Sequence, residues 1–124
     1  NPVACAGALG SIQWMKDNDA CAIAREIESI MLPRLRSMQE NFPQIGDVRG
    51  RGAMLAIELI EPGTMDPHAA LAADLNKYCH KHGVVTLTAG TYGNVLRFLP
   101  PLTMPRHLLE EALSILEAGF EALI

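Results

Sequence analysis

The sequence predicts an α+β fold: a small, mainly antiparallel sheet covered by helices, most of them on one face. Three observations predict it. Ile23, Ile27, Ile30, Met31, Leu35, Met38 and Phe42 recur at helical spacing, and Leu109, Ala112, Leu113, Leu116, Phe120 and Leu123 do so again near the C-terminus. Between these stretches lie short apolar runs, Ala53–Ile60 and Val95–Phe98, bounded by glycine and proline as strands are. A Gly93-Asn94 turn signal precedes the second run and returns the chain antiparallel. Amphipathic helices beside a few short strands make a layered α+β arrangement.

Size and composition bound the rest. At 124 residues the chain is one ordinary domain. Apolar residues are 49% and charged residues 19%, enough for one core and unlike a disordered segment. A net charge of −4, interspersed signs and 5% aromatics disfavour nucleic-acid binding. No apolar run has the length of a membrane span, and Asn1-Pro2-Val3-Ala4 does not begin a signal peptide. Cytoplasmic residence is the expectation. Cys5, Cys21 and Cys79 cannot all pair internally and are expected to be buried free thiols. The chain has no initiator Met and reads as a piece of a longer protein, or a processed one.

Asn1 is a good N-cap and Pro2 a good first helical residue. Val3–Gly10 is almost all small, so the helix is expected to lie against something large, with Trp14 at its end as a core or interface residue. Asn18 or Asp19 caps the second helix, which Pro33 should kink or split near Leu32. Arg25, Glu26, Glu28, Arg34 and Arg36 form its solvated face. Pro43 follows as a stop signal.

Ala53–Ile60 is nearly continuously apolar and reads as a strand buried on both faces. Gly50 and Gly52 before it suggest a bulge or a close backbone approach. They do not make a phosphate loop, because no helix and no Walker Lys-Ser/Thr follow. Asp66-Pro67 caps a third helix with Leu71, Leu75, Tyr78, Cys79 and His82 on its inner face and Gly83 at C′. Cys79 and His82 share a face, but two ligands do not make a metal site. Val84–Leu87 is a short strand that turns near Thr91–Asn94 into Val95–Phe98. Thr103 or Met104 caps the last helix, with Pro105 in its first turn and Glu110 and Glu111 suited to its dipole.

The most chemically suggestive side chain is Arg97. Leu96 and Phe98 share one strand face; Val95 and Arg97 share the other. Pro100-Pro101 then ends the ladder. A guanidinium on a rigid strand beside a stiff corner suits bidentate capture of a carboxylate. Pairing with a surface Glu is the competing reading.

Three blocks carry a family resemblance. Asn1-Pro2-Val3-Ala4-Cys5-Ala6-Gly7-Ala8-Leu9 resembles the segment after the glycine-rich loop of class III (ω-) aminotransferases. Val48-Arg49-Gly50-Arg51-Gly52-Ala53-Met54-Leu55-Ala56-Ile57-Glu58-Leu59 is similar to the strand that opens their C-terminal small domain. Asn94–Leu102 resembles their carboxylate-binding strand. The likeness covers essentially the whole chain and leans toward the branch that acts on 4-aminobutyrate. The acetylornithine and ornithine branches stay open, since the residues that choose the ω-group lie mostly upstream. From the residues alone, a non-catalytic interaction module stays open too.

The resemblance implies the C-terminal domain of a fold-type-I homodimer that uses pyridoxal 5′-phosphate and passes an amino group to 2-oxoglutarate. Residues 1–17 would link to the large domain, and residues 18–124 would be the small domain. The large domain would hold the Schiff-base lysine and most of the cofactor site. Lys16, Lys77 and Lys81 do not match the family's lysine motif. The implied site here is therefore one substrate-binding residue, Arg97, with no catalytic, cofactor-binding or metal residue and no activity in the fragment itself. Partners would be the large domain, a second subunit and amino-acid or 2-oxo-acid substrates. An isolated chain exposing Val3, Ala4, Ala8 and Trp14 would self-associate.

Overall fold

A computed structural model describes all residues, Asn1–Ile124. The order is α1 (Pro2–Asp17), α2 (Ala20–Asn41), β1 (Ile45–Arg51), β2 (Met54–Leu59), α3 (Ala69–Lys81), β3 (Leu87–Ala89), β4 (Val95–Phe98) and α4 (Arg106–Leu123). The sheet runs β1-β2-β4-β3 and every pairing is antiparallel. The α+β expectation therefore holds, with one strand more than the sequence reading found.

That extra strand is β1, which forms a hairpin with β2 through Gly52 and Ala53, with Arg51 opposite Met54. The irregularity in the pair lies between Ile45 and Asp47, not at Gly50 or Gly52. Close approach is the correct reading for Gly50: a Cβ there would lie 2.2 Å from the Met54 carbonyl oxygen.

β2 corrects a second expectation. It is buried on one face only: Leu55, Ile57 and Leu59 are fully enclosed, whereas Met54 is 53% exposed and Ala56 and Glu58 are half-buried. The enclosed side chains meet Leu35 and Met38 of α2, Leu75 of α3 and Leu96 of β4 in a single core. α2 packs on β1 and β2, α3 on β2, β3 and β4, and α4 against both α2 and α3. The opposite sheet face carries no helix.

The helix ends show how backbone groups choose partners. Asn1 caps α1 by accepting from the Val3 N–H at 3.0 Å. Asp19, not Asn18, caps α2, accepting from the Ala22 N–H; Asn18 instead closes α1 by donating to the Trp14 carbonyl. Helix α2 runs unbroken through Pro33. Met31, Leu35 and Met38 bury one face around it, and that packing outweighs the lost hydrogen bond. Its polar face is less idle than expected. Glu28 accepts from the Gly52 N–H at 2.7 Å, and Arg34 pairs with Glu117 of α4 at 2.8 Å.

His68, not Asp66, is the N-cap of α3. Asp66 and Pro67 are engaged elsewhere: the Asp66 carbonyl accepts from Glu61 N–H, and Pro67 bridges to Ile60. At the other end Gly83 occupies C′ as expected. Val84 N–H donates to Cys79 carbonyl and Gly83 N–H to His80 carbonyl, a Schellman pair. His82 is exposed rather than inward, its ring stacked on Tyr78 at 4.1 Å. β3 begins at Leu87 instead of Val84, leaving Val85 exposed. Pro105 occupies the N-cap of α4 with no side-chain bond; Thr103 and Met104 lie in the preceding turn, where Met104 N–H donates to Pro101 carbonyl. Glu110 is one turn inside α4 and pairs with Arg106.

Only one of the three thiols is buried: Cys79 is enclosed, whereas Cys5 and Cys21 are exposed. Burial pushes the Cys79 thiol pKa up. A thiol-disulfide reagent is expected to modify two cysteines of the native chain quickly and the third only after unfolding. Three fast reactions, read at 412 nm with an aromatic disulfide (about the usual band, since thiolate access sets the rate), would contradict this packing.

Candidate functional site

β4 is an interior strand, paired with β2 on one side and β3 on the other. Its Leu96 points into the core and is fully buried. Alternation therefore turns Arg97 to the uncovered face, where it is exposed. The residues directly across are Ala56 on β2 and Leu87 on β3, so neither neighbour supplies a counter-charge. The Arg97 guanidinium has no ion pair or hydrogen bond within the chain. Its reading as a surface Arg–Glu pair is not what the structure shows.

Arg97 sits at the rim of a groove of about 840 Å³. The walls are the Val84–Leu87 segment, the Phe98–Pro101 corner and the side of α4 that carries Leu109, Leu113 and Leu116; Arg97 is the only lysine or arginine among them, and Glu111 of α4 the only carboxylate. One wall is braced from behind. Thr86 is buried and donates to Asn76 Oδ1 at 2.6 Å, while His80 Nε2 lies 2.9 Å from the Thr86 carbonyl oxygen. A mostly apolar groove with one free guanidinium favours an anion attached to an apolar body.

Beside Arg97 on the same face lies a group that the sequence reading missed. Arg49 Nη1 is 2.7 Å from Asp47 Oδ2 and 2.6 Å from Glu58 Oε2. Bonds to Asp47 and then Glu58 raise the Arg49 pKa further above its already high value. Asn94, almost wholly buried, donates to the Leu59 carbonyl at 2.8 Å and points at Glu58 Oε1 at 3.4 Å. It fastens the turn that leads into β4. The available signal was the alternation Asp47, Arg49, Arg51, which is a strand period carried by charges.

The other candidates separate. Cys79 is enclosed and His82 exposed, and no group of three His, Cys, Asp or Glu side chains is arranged to hold a metal. Gly50 and Gly52 belong to the β1–β2 hairpin rather than to a phosphate loop. Lys16, Lys77 and Lys81 are exposed on helices, Lys77 pairing with Asp74 at 3.0 Å; none lines the groove. No helix is long and apolar enough to cross a membrane.

Comparison with known proteins gives this arrangement its context. The model of the family "Aminotransferase class-III" matches residues 1–120. A 4-aminobutyrate aminotransferase of Mycobacterium tuberculosis is 47% identical over 115 residues, covering 93% of this chain and 26% of that protein. A 5-aminovalerate aminotransferase of Pseudomonas putida is 39% identical over 120 residues, covering 97% and 28%. Among solved structures, a phospholyase from Arthrobacter in complex with phosphoethanolamine superposes with a TM-score of 0.91 at 31% identity, over 100% of this chain and 30% of that one. The chain thus spans about a quarter of the length of the curated relatives it matches. With the family model spanning nearly every residue and a relative 47% identical over 93% of it, the chain belongs to the class-III aminotransferases.

Proposed function

We propose that this chain is the C-terminal small domain of a longer transaminase that moves an amino group between an ω-amino acid, 4-aminobutyrate foremost, and 2-oxoglutarate. Arg97 grips the α-carboxylate of the amino-acid or 2-oxo-acid substrate. One observation carries the reading: a guanidinium on an interior strand stands exposed and unpaired at the mouth of an apolar groove. A charged group held there on a rigid scaffold is pre-organised for an external anion. The relatives named for 4-aminobutyrate and 5-aminovalerate support the ω-amino acid class.

Class-III aminotransferases use pyridoxal phosphate, which supplies the electron sink for moving the amino group. The residues of this chain do not compose a site for it, since no lysine lies in the groove beside Arg97. On this reading the cofactor and its attachment lysine belong to a large domain outside these residues, and a second subunit completes a homodimer. Helix α1, residues 1–17, fits the role of link between the domains. None of its residues is buried, and a Cβ at Gly7 or Gly10 would meet nothing within this chain. Its small-residue surface suits a neighbour outside these residues. On this reading the 124-residue chain alone has no transaminase activity.

The chemistry asked of Arg97 is binding and orientation. Its planar fork makes two parallel charge-assisted bonds to a carboxylate, which fixes the direction of the substrate's Cα–H bond. Lysine offers a point charge without the fork. In the full-length enzyme Arg97→Lys should raise KM for glutamate and 2-oxoglutarate by about 10- to 100-fold, the loss of one such bond or more. Steady-state kinetics with both substrates measures this, and unchanged KM values would overturn the role.

A further inference from the structure

The uncovered sheet face holds two arginines in one cross-strand row, Arg49 on β1 and Arg97 on β4, with Ala56 of β2 between them. Two residues along β2, and on the same face, stands Glu58, opposite Asp47 on one side and Val95 on the other. Glu58 is thus diagonal to both arginines, about 7–8 Å from each across the ladder, within reach of long side chains. Only a methyl group, that of Ala56, lies between the arginines in the row. Yet Glu58 is bound to Arg49 at 2.6 Å and leaves Arg97 without a partner.

The reason lies in the other carboxylate. Asp47 and Glu58 face each other directly across β1 and β2, a repulsive like-charge pair. Arg49 accepts both, at 2.7 and 2.6 Å, and so draws Glu58 toward β1. Asn94 engages the second Glu58 oxygen. Without Arg49, repulsion from Asp47 would drive Glu58 the other way, toward Arg97.

We infer that Arg49 is a positioning residue for substrate recognition: by sequestering Glu58, it prevents an internal Glu58–Arg97 ion pair and keeps Arg97 open to an external carboxylate. This rests on the carboxylate-binding reading of Arg97. It makes the Asp47–Arg49–Glu58 group part of the specificity apparatus although none of the three lines the groove.

The test uses the full-length enzyme and glutarate, a dicarboxylate that can be neither aminated nor deaminated, as competitive inhibitor against 2-oxoglutarate. Arg49→Met should weaken glutarate about fivefold, the strength of a competing ion pair at a partly exposed site. Adding Glu58→Gln to Arg49→Met should restore affinity to within about twofold, because the competitor has lost its charge. Arg97→Met sets the floor. A loss in Arg49→Met that Glu58→Gln does not rescue assigns Arg49 to scaffolding and overturns the inference, as does unchanged affinity in Arg49→Met. Those results leave the Arg97 reading standing if Arg97→Met still abolishes tight binding. Should Arg97→Met bind glutarate normally, the carboxylate reading itself fails and the inference goes with it.

Discussion

Phe120→Ala is expected to lower the unfolding free energy of the chain by about 3–5 kcal/mol, the usual cost of emptying a large aromatic site in a core. Phe120 is fully enclosed in the last turns of α4 and stacks on Phe42 with ring centroids 5.0 Å apart. Phe42 is the C-cap of α2, just before β1. The pair therefore joins the end of α4 to the point where α2 hands over to the sheet, and neither backbone is free to collapse into the void. For a domain with a total stability of about 5–15 kcal/mol, the loss is a large fraction. Leu123 supplies the contrast. It continues the same apolar stripe in sequence but is 42% exposed, so Leu123→Ala should cost about 1 kcal/mol or less. Urea unfolding followed by far-ultraviolet circular dichroism is the proper measurement. The one tryptophan, Trp14, lies on α1, where nothing is buried, and its fluorescence would not report the core. Equal losses for the two variants would contradict the packing.

That contrast shows what periodicity can reveal. The stripes of α2 and α4 were readable because 3.6-residue spacing places their apolar side chains on one face, and the core indeed takes Ile27, Met31, Leu35, Met38, Leu109, Leu113, Leu116 and Phe120. Where a stripe ends is set by the neighbours, so Leu123 looked the same as Phe120. β1 was not recognised because only Ile45 in it is buried. Its glycines and charges resemble a loop, and it exists as a strand because β2 offers a ladder. β2 was read as doubly buried because Met54 and Ala56 are apolar; apolar character does not say whether a helix covers that face. Cap assignments at Asp66 and Thr103 failed because tertiary hydrogen bonds and the Pro101–Met104 turn use those segments otherwise.

The same division holds at the site. The outward direction of Arg97 was legible because a four-residue strand and a proline corner fix it locally. The Asp47–Arg49–Glu58 group was not, because its members come together only through the register of β1 on β2. Pairing register is a property of two segments, and one of them had not been identified.

Gly50→Ala tests that register directly, and should be the most damaging single methyl in the chain. Gly50 has φ +141°, a conformation that costs an L side chain about 1–3 kcal/mol. The added Cβ would also stand 2.2 Å from the Met54 carbonyl oxygen and 2.7 Å from Leu55 Cα. Both are backbone atoms of the partner strand and cannot rotate away. Relief requires β1 to separate from β2 around the Gly50–Leu55 pair, next to Arg49. A loss of about 3 kcal/mol or more is expected, as for a forced overpacking with strain added. Gly7→Ala should go the other way. Its Cβ meets nothing within 4 Å, and α1 gains about 0.5–1 kcal/mol of helix propensity. Opposite signs for the same chemical change, read from denaturation midpoints, would separate backbone collision from a general intolerance of glycine replacement. A Gly50→Ala chain as stable as the parent would mean that β1 is not held against β2 as described. Arg49 would then have no fixed hold on Glu58, and the open state of Arg97 would need another cause.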